Sequence, residues 1–311
     1  MRGFGHDPRG RMSSRLLAFA AVSSLTVVVA ASFLLGSVFI SPPESATGQK
    51  TRRAKTTTER PLTIAIVRTP GGPAEWRTYA RAIKTMSDAT GHPMRVRYVQ
   101  DRSELANLVE TQKIDAGFLC TNCYLAVADQ PGVTLLVAPR VAGETRDAAV
   151  LVVRATSPYA SLSELVGHRV GVMDSTSLAG NTYLYWLAEQ EHMDVARSLY
   201  VVRGANEEAN LKALLVGDVE AVVVNRSQLA LWNQSDLRII SESPEFGMPP
   251  FVTGPSIDAD TRTAMKEALL DMRPTATQPH SVVEGFSEVT AEDYAFAREL
   301  SAFSAGFRGQ R

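Results

Sequence analysis

Cysteine and histidine are scarce in this 311-residue chain, which has two cysteines and five histidines scattered through polar segments. With no second cysteine pair and no two histidines at ligand spacing, a zinc centre lacks a donor set. No cofactor of any kind is implied. A nucleophile elbow, a P-loop, a His-Glu-x-x-His pair and a Gly-x-Gly-x-x-Gly turn are all missing, which removes the common hydrolase, nucleotide-binding and dinucleotide-binding readings. A histidine-based triad has no support either, so the chain reads as a non-enzyme. Positive charge is short where nucleic acid would need it. Residues 1–60 hold 9 Lys and Arg against 3 Asp and Glu, leaving 23 against 30 in the rest of the chain, a net of −7. An acidic body of that kind argues against nucleic acid as a partner.

Charge is also absent from residues 16–40, LLAFAAVSSLTVVVAASFLLGSVFI. At about 1.5 Å per residue this run exceeds the roughly 30 Å of a bilayer core. It is longer than the apolar part of a cleavable signal peptide, and no small-x-small site follows it directly. The length favours an uncleaved transmembrane anchor, with 1–15 as a cytoplasmic N-terminus and the body outside the inner membrane. No cysteine near its end offers a lipid attachment point. Residues 41–60, SPPESATGQKTRRAKTTTER, carry almost no large apolar side chain and read as a solvated tether.

From Leu62 onward, apolar β-rich runs such as LTIAIV, DAGFLC, AVLVVR, RVGVM and VEAVVVN alternate with helical patterns such as WRTYARAIKTMSDATG, LAGNTYLYWLAEQ, EEANLKALLVG and DADTRTAMKEALLDM. Alternation of this kind predicts an α/β architecture with largely parallel sheets, and continuous apolar strands require helices on both faces. Ligands of such sheets bind beyond the carboxyl ends of the strands. That rule selects four loops, Arg68 to Trp76, Cys120 to Tyr124, Asp174 to Asn181 and Gly204 to Glu207, with Asn225 as a fifth position.

The loop Met-Asp-Ser-Thr-Ser-Leu-Ala-Gly-Asn lies between a strand and a helix. Its backbone N–H groups, with the hydroxyls of Ser175 and Ser177, can cradle an anion, and simple N-capping explains the same residues. Trp76 can cover a ligand at the mouth of the first loop or pack into the core with Tyr79 and Ile83, while Trp232 reads as core. Cys120 and Cys123 stand as C-T-N-C: a small apolar pair beside a binding loop, a disulfide, or a redox couple.

Five segments in order resemble the phosphate, phosphite and phosphonate substrate-binding proteins of ABC transporters. Cys120, Thr121 and Tyr124 match that family's Val-Cys-Thr-Gly-x-Tyr-Val. Asp174, Ser177 and Gly180 match its Asp-Pro-x-Ser-x-Ser/Thr-Gly. SLSELVGHRVGVMD, VRGANEEANLKALLVGDVEAVVVN and the late PEFGMPPFV with VTAEDYAFAREL follow the remaining pattern. The resemblance spans most of residues 61–300. It implies a two-lobed, periplasmic-binding-protein-like fold of type II, with residues 61–151 plus 248–300 as the first lobe, 152–247 as the second and 301–311 as a tail. The crossings would be AVLVVR and GMPPFV. It further implies hinge closure over a small anionic, phosphate- or phosphonate-like solute, with an ABC permease as partner. The strand-end loops and the resemblance together select as ligand residues Thr69, Trp76, Thr121, Asn122, Tyr124, Arg146, Ser175, Ser177, Asn181, Asn206, Glu207 and Asn225.

This chain departs from the family where Ala205, Asn206 and Glu207 replace Ser, His and a small acid, where Arg146, Asp147 and Ala148 replace Tyr-x-Ser, and where Ala179 replaces a hydroxyl. Arg146 can substitute for lost donors by gripping an anion in two places, or it is a solvated residue paired with Glu144 or Asp147. Loss of the cradle would leave a sensory or accessory domain acting on a membrane partner, the alternative to transport.

Overall fold

The computed structural model describes residues 60–67, 73–99, 102–273 and 283–308. The expected anchor at 16–40, the tether up to residue 59 and Thr69 lie outside these residues. Among the described residues no helix is long and apolar enough to cross a membrane.

Two sheets divide the described chain. The first contains β1 (Leu62–Val67), β2 (Met94–Val99), β3 (Ala116–Phe118), β4 (Thr134–Val141), β12 (Phe251–Thr253) and β13 (Val283–Glu288), in the order β13-β4-β12-β3-β1-β2. The second contains β6 (Ala149–Arg154), β7 (Arg169–Val172), β8 (Tyr200–Arg203), β9 (Ala221–Asn225) and β10 (Leu237–Glu242), in the order β10-β6-β9-β7-β8. Both sheets are mixed. β1 runs parallel to β2 and β3, and β7 parallel to β8 and β9, whereas β12, β13, β6 and β10 enter antiparallel.

The two-residue period of a strand sorts each apolar run into two cores. Leu62, Ile64 and Ile66 of β1 face one cluster while Ala65 and Val67 face another. Ala149, Leu151 and Val153 of β6 are divided in the same way from Val150 and Val152. Helices α1 (Pro73–Thr90) and α8 (Ala259–Leu270) cover one face of the first sheet through Ile83, Met86, Met265 and Leu269. α2 (Arg102–Glu110) and α3 (Thr121–Leu125) cover the other. On the second sheet, α4 (Tyr183–Gln190) and α5 (Val195–Ser198) lie on one face, and α6 (Glu207–Val216) and α7 (Arg226–Leu229) on the other. Trp232 is partly buried against this last core. Each fully buried Val or Leu contributes roughly 1.5–3 kcal/mol, so unbroken apolar strands fix the layers.

The sequence assigns the lobe crossing to AVLVVR, but those residues pair on both sides within the second sheet, with β9 and β10. The crossing is made instead by β5 (Arg146–Asp147) and β11 (Phe246–Gly247), a two-stranded antiparallel ribbon of its own. Residues 301–308, read as a tail, continue the last helix, α9 (Ala295–Arg308). The helix is anchored ahead of them by an apolar stripe: Phe296, Ala297 and Leu300 pack into the second lobe's core, while Tyr294, just before the helix, packs into the first lobe's. The C-terminal segment therefore lies across both lobes and covers the ribbon.

Candidate functional site

Loop and helix chemistry place the candidate side chains. Cys120, extended at φ −63° and ψ 152°, begins the one-turn helix α3 and is disulfide-bonded to Cys123. Asn122, on that turn, is buried and donates its Nδ2 to the Thr176 carbonyl of the second lobe at 2.7 Å, while its Oδ1 accepts from Ser301 Oγ of α9 at 3.4 Å. Thr121 Oγ1 lies 3.5 Å from the Gly247 carbonyl of the ribbon. Tyr124 is buried edge-on against Tyr294, with ring centroids 4.7 Å apart. Burial pushes its phenol pKa up, which leaves it a neutral hydroxyl.

Across from α3, the second-lobe loop is self-bonded. Asp174 Oδ1 accepts from Thr176 N at 2.8 Å, and the Asp174 carbonyl accepts from Ser177 N. Ser177 Oγ accepts from Gly180 N at 3.0 Å and caps a π-helical turn, Leu178–Thr182, that runs into α4. Ser175 is exposed, and Asn181 is buried with no hydrogen-bond partner for its Oδ1. Ser177 therefore caps the helix start, and Thr121, Asn122, Ser175 and Ser177 lie on the two loops that meet through Asn122 and Thr176.

Asn206, Glu207 and Asn225 form a second group. Asn206 caps α6 through Ala209 N at 2.7 Å. Glu207 Oε1 accepts from both the backbone N and the side-chain Nδ2 of Asn225, each at 2.8 Å. Its carboxyl is enclosed although the residue as a whole is only half-buried, and burial, reinforced by the charge of Asp147, pushes its pKa up to about 7 against the hydrogen bonds from Asn225.

Arg146 pairs with Asp293, at the start of the C-terminal segment, rather than with Glu144 or Asp147. Burial raises the Asp293 carboxyl, but hydrogen bonds from Thr290 and the Arg146 charge outweigh it and hold the pKa below the usual range. Asp147 is buried and accepts from Ala148 N at 2.9 Å, Ser227 N at 3.0 Å and Ser227 Oγ at 2.6 Å. Its pKa is nonetheless raised by burial. Trp76 lies in α1, and its side chain falls outside the described residues together with Thr69.

Sequence reasoning missed Thr176, whose carbonyl meets Asn122, Ser227, which donates to Asp147, and Tyr294, whose ring packs on Gly247. Gly247 had one available signal, a glycine next to Met-Pro-Pro at the return crossing. Hydroxyls and amides dominate the facing loops, a set suited to hydrogen-bonding an oxyanion and holding no nucleophile–base pair. Among the described residues no group of His, Cys, Asp and Glu could hold a metal ion.

Solved structures share this fold. XAC2383 from Xanthomonas citri, bound to ATP, is 12% identical over 80% of this chain and 98% of its own, with a TM-score of 0.63. PhnD1 from Prochlorococcus marinus, in complex with methylphosphonate, is 13% identical over 78% and 97%, with a TM-score of 0.61. A binding protein component of an ABC phosphonate transporter from Pseudomonas aeruginosa is 16% identical over 79% and 86%, with a TM-score of 0.60. No curated protein matches the chain significantly. The sequence itself matches a family over residues 73–294, from the first helix to the tyrosine on the ribbon, and by that match the chain belongs to the periplasmic phosphonate substrate-binding proteins of ABC transporters.

Proposed function

We propose that this chain is a membrane-tethered solute-binding protein that closes over a small tetrahedral oxyanion and delivers it to an ABC permease. The observation that carries this reading is the meeting of two hydroxyl- and amide-rich loops, one from each lobe, through Asn122 and Thr176. On this reading Thr121, Asn122, Ser175, Ser177 and Asn181 supply contacts to the anion, with Asn206, Glu207 and Asn225 farther along the second lobe's strand ends. Thr69 and Trp76 complete the set of ligand residues on this reading. The β5–β11 ribbon serves as the hinge, and residues 16–40 hold the protein at the inner membrane with its body outside.

The test is reconstitution. Uptake of labelled methylphosphonate or phosphite into vesicles carrying the permease and ATPase should depend on the full chain, and a chain lacking residues 1–59 should leave the membrane fraction. Uptake that is indifferent to the protein would exclude transport.

A second reading, a sensory or accessory domain of the same fold, is favoured by one observation. The N–H groups of Thr176, Ser177 and Gly180 are already bonded within their own loop, and Ala148, Ala179 and Ala205 stand where the family supplies hydroxyls. Capture of the permease in one crosslinking experiment, or of a membrane receptor instead, separates the two.

A further inference from the structure

The disulfide occupies an unusual place in this architecture. It joins residues three apart, and the two residues between them, Thr121 and Asn122, are the ones that reach out of the first lobe. Thr121 touches the ribbon at Gly247, and Asn122 touches the second-lobe loop at Thr176 and the C-terminal helix at Ser301. A cross-link that closes so small a loop removes little freedom from the unfolded chain, so it is a poor global staple. Its effect is local. α3 has five residues, too few to persist as an independent helix, and its first turn is held by the disulfide, by Cys123 N donating to Cys120 Sγ at 3.1 Å and by Tyr124 N donating to the Cys120 carbonyl at 2.8 Å.

The two sulfurs are not equivalent. Cys123 is buried at 3% exposure, in the core with Tyr124 and Val127, whereas Cys120 is half-buried at the loop that opens toward the other lobe. Cys120 packs against the edge of the same core but is the more exposed of the two, so an external thiol approaches Cys120 rather than Cys123, the asymmetry of an exchangeable pair in which one sulfur is attacked and the other leaves.

We infer that the Cys120–Cys123 disulfide is a reducible switch on the contact between the lobes, opened by an external dithiol. A thiolate of the dithiol attacks Cys120 Sγ, a mixed disulfide forms, the Cys120–Cys123 bond breaks, and Cys123 departs as a thiolate that takes up a proton. The second thiol of the reductant, deprotonated, then attacks its own sulfur in the mixed disulfide and releases Cys120. The protein disulfide gains two electrons and two protons, and the dithiol becomes a disulfide. Reduction frees the turn that presents Asn122, so the bond to Thr176 weakens and the lobes part more readily. Only its meaning for ligand capture rests on the proposed function; the switch itself is read without ligand.

The experiment uses the oxidised full chain, millimolar dithiothreitol and no denaturant. Because the chain has two cysteines, intact mass after N-ethylmaleimide reads the reaction directly, and two labels are expected. Amide hydrogen exchange is then followed in 174–182, more than fifty residues away in sequence, where protection should fall by roughly fivefold, the scale of one lost hydrogen bond. A variant with Cys120→Ser and Cys123→Ser should show the same pattern without reductant. The proposal is overturned if the native disulfide resists dithiothreitol, if faster exchange stays within 120–126, or if the double variant is protected like the oxidised protein. Should that variant not fold, reduced wild type carries the comparison. Oxyanion titration of the oxidised protein is a separate arm, so failure of the binding reading and failure of the switch give different results.

Discussion

The ring of Tyr294 lies directly against the backbone of Gly247: a Cβ on that glycine would sit 2.5 Å from Cζ and 2.8 Å from both Cε atoms. The tyrosine hydroxyl also donates to the Met248 carbonyl at 2.7 Å. One side chain from the C-terminal segment thus covers the ribbon that joins the lobes and satisfies its backbone.

Gly247→Ala should therefore destabilise the protein by about 1–3 kcal/mol, the range for overpacking a closed site. Tyr294→Phe should cost about 1–3 kcal/mol by leaving a buried carbonyl unpaired. Thermal unfolding checks both. A neutral Gly247→Ala would mean that Tyr294 moves aside freely and does not cover the ribbon.

Asp115 gives a second case. It is 1% exposed and accepts from Arg60 Nη2 at 2.6 Å, Thr63 N at 2.7 Å and Ser256 Oγ at 2.6 Å. Burial raises its pKa, but these partners outweigh burial and leave it below the usual value. A depressed folded pKa stabilises above the unfolded value of about 3.9 and loses that contribution as pH falls through the folded one. Denaturant midpoints should thus drop below about pH 4, and Asp115→Ala should remove this part of the decline. Asp115→Ala should cost about 1–3 kcal/mol at neutral pH by leaving the Thr63 N–H unpaired in a buried site, and Arg60→Ala, whose side chain is 60% exposed, about 0–1 kcal/mol.

Glu207 runs the other way. Its folded pKa of about 7 lies above the unfolded value, so the fold favours its protonated form. Stability from this group is full below about pH 4.3 and declines as pH rises from there to about 7. Glu207→Gln should flatten that part of the profile, as read by denaturant midpoints between pH 5 and 8. An unchanged slope would mean that Glu207 is ionised throughout.

Strands such as LTIAIV and AVVV were legible because their apolar runs are uniformly buried, and helix α1 because its apolar residues recur at helical spacing; β2, MRVRYV, is only partly buried and was legible by its β-rich composition. The facing loops were legible too, since the positions after strands and before helices follow from alternation. What stayed hidden depends on distance along the chain. Arg146 lies 147 residues from Asp293, and no local pattern distinguishes a carboxylate that caps a turn at Thr290 from one that also binds a hinge-strand arginine. The role of α9 escaped for a similar reason: an amphipathic stripe shows that a helix packs, but Phe296 and Leu300 do not say against which lobe.

Isothermal titration of the full chain with methylphosphonate, phosphite, phosphate and sulfate tests the central claim most directly. The expected result is binding of at least one of these oxyanions, weakened by roughly 1.5–3 kcal/mol for each hydrogen bond to the charged ligand that Thr121→Ala or Ser175→Ala removes. No heat of binding for any of them at millimolar concentration, or affinities that both substitutions leave untouched, would contradict it.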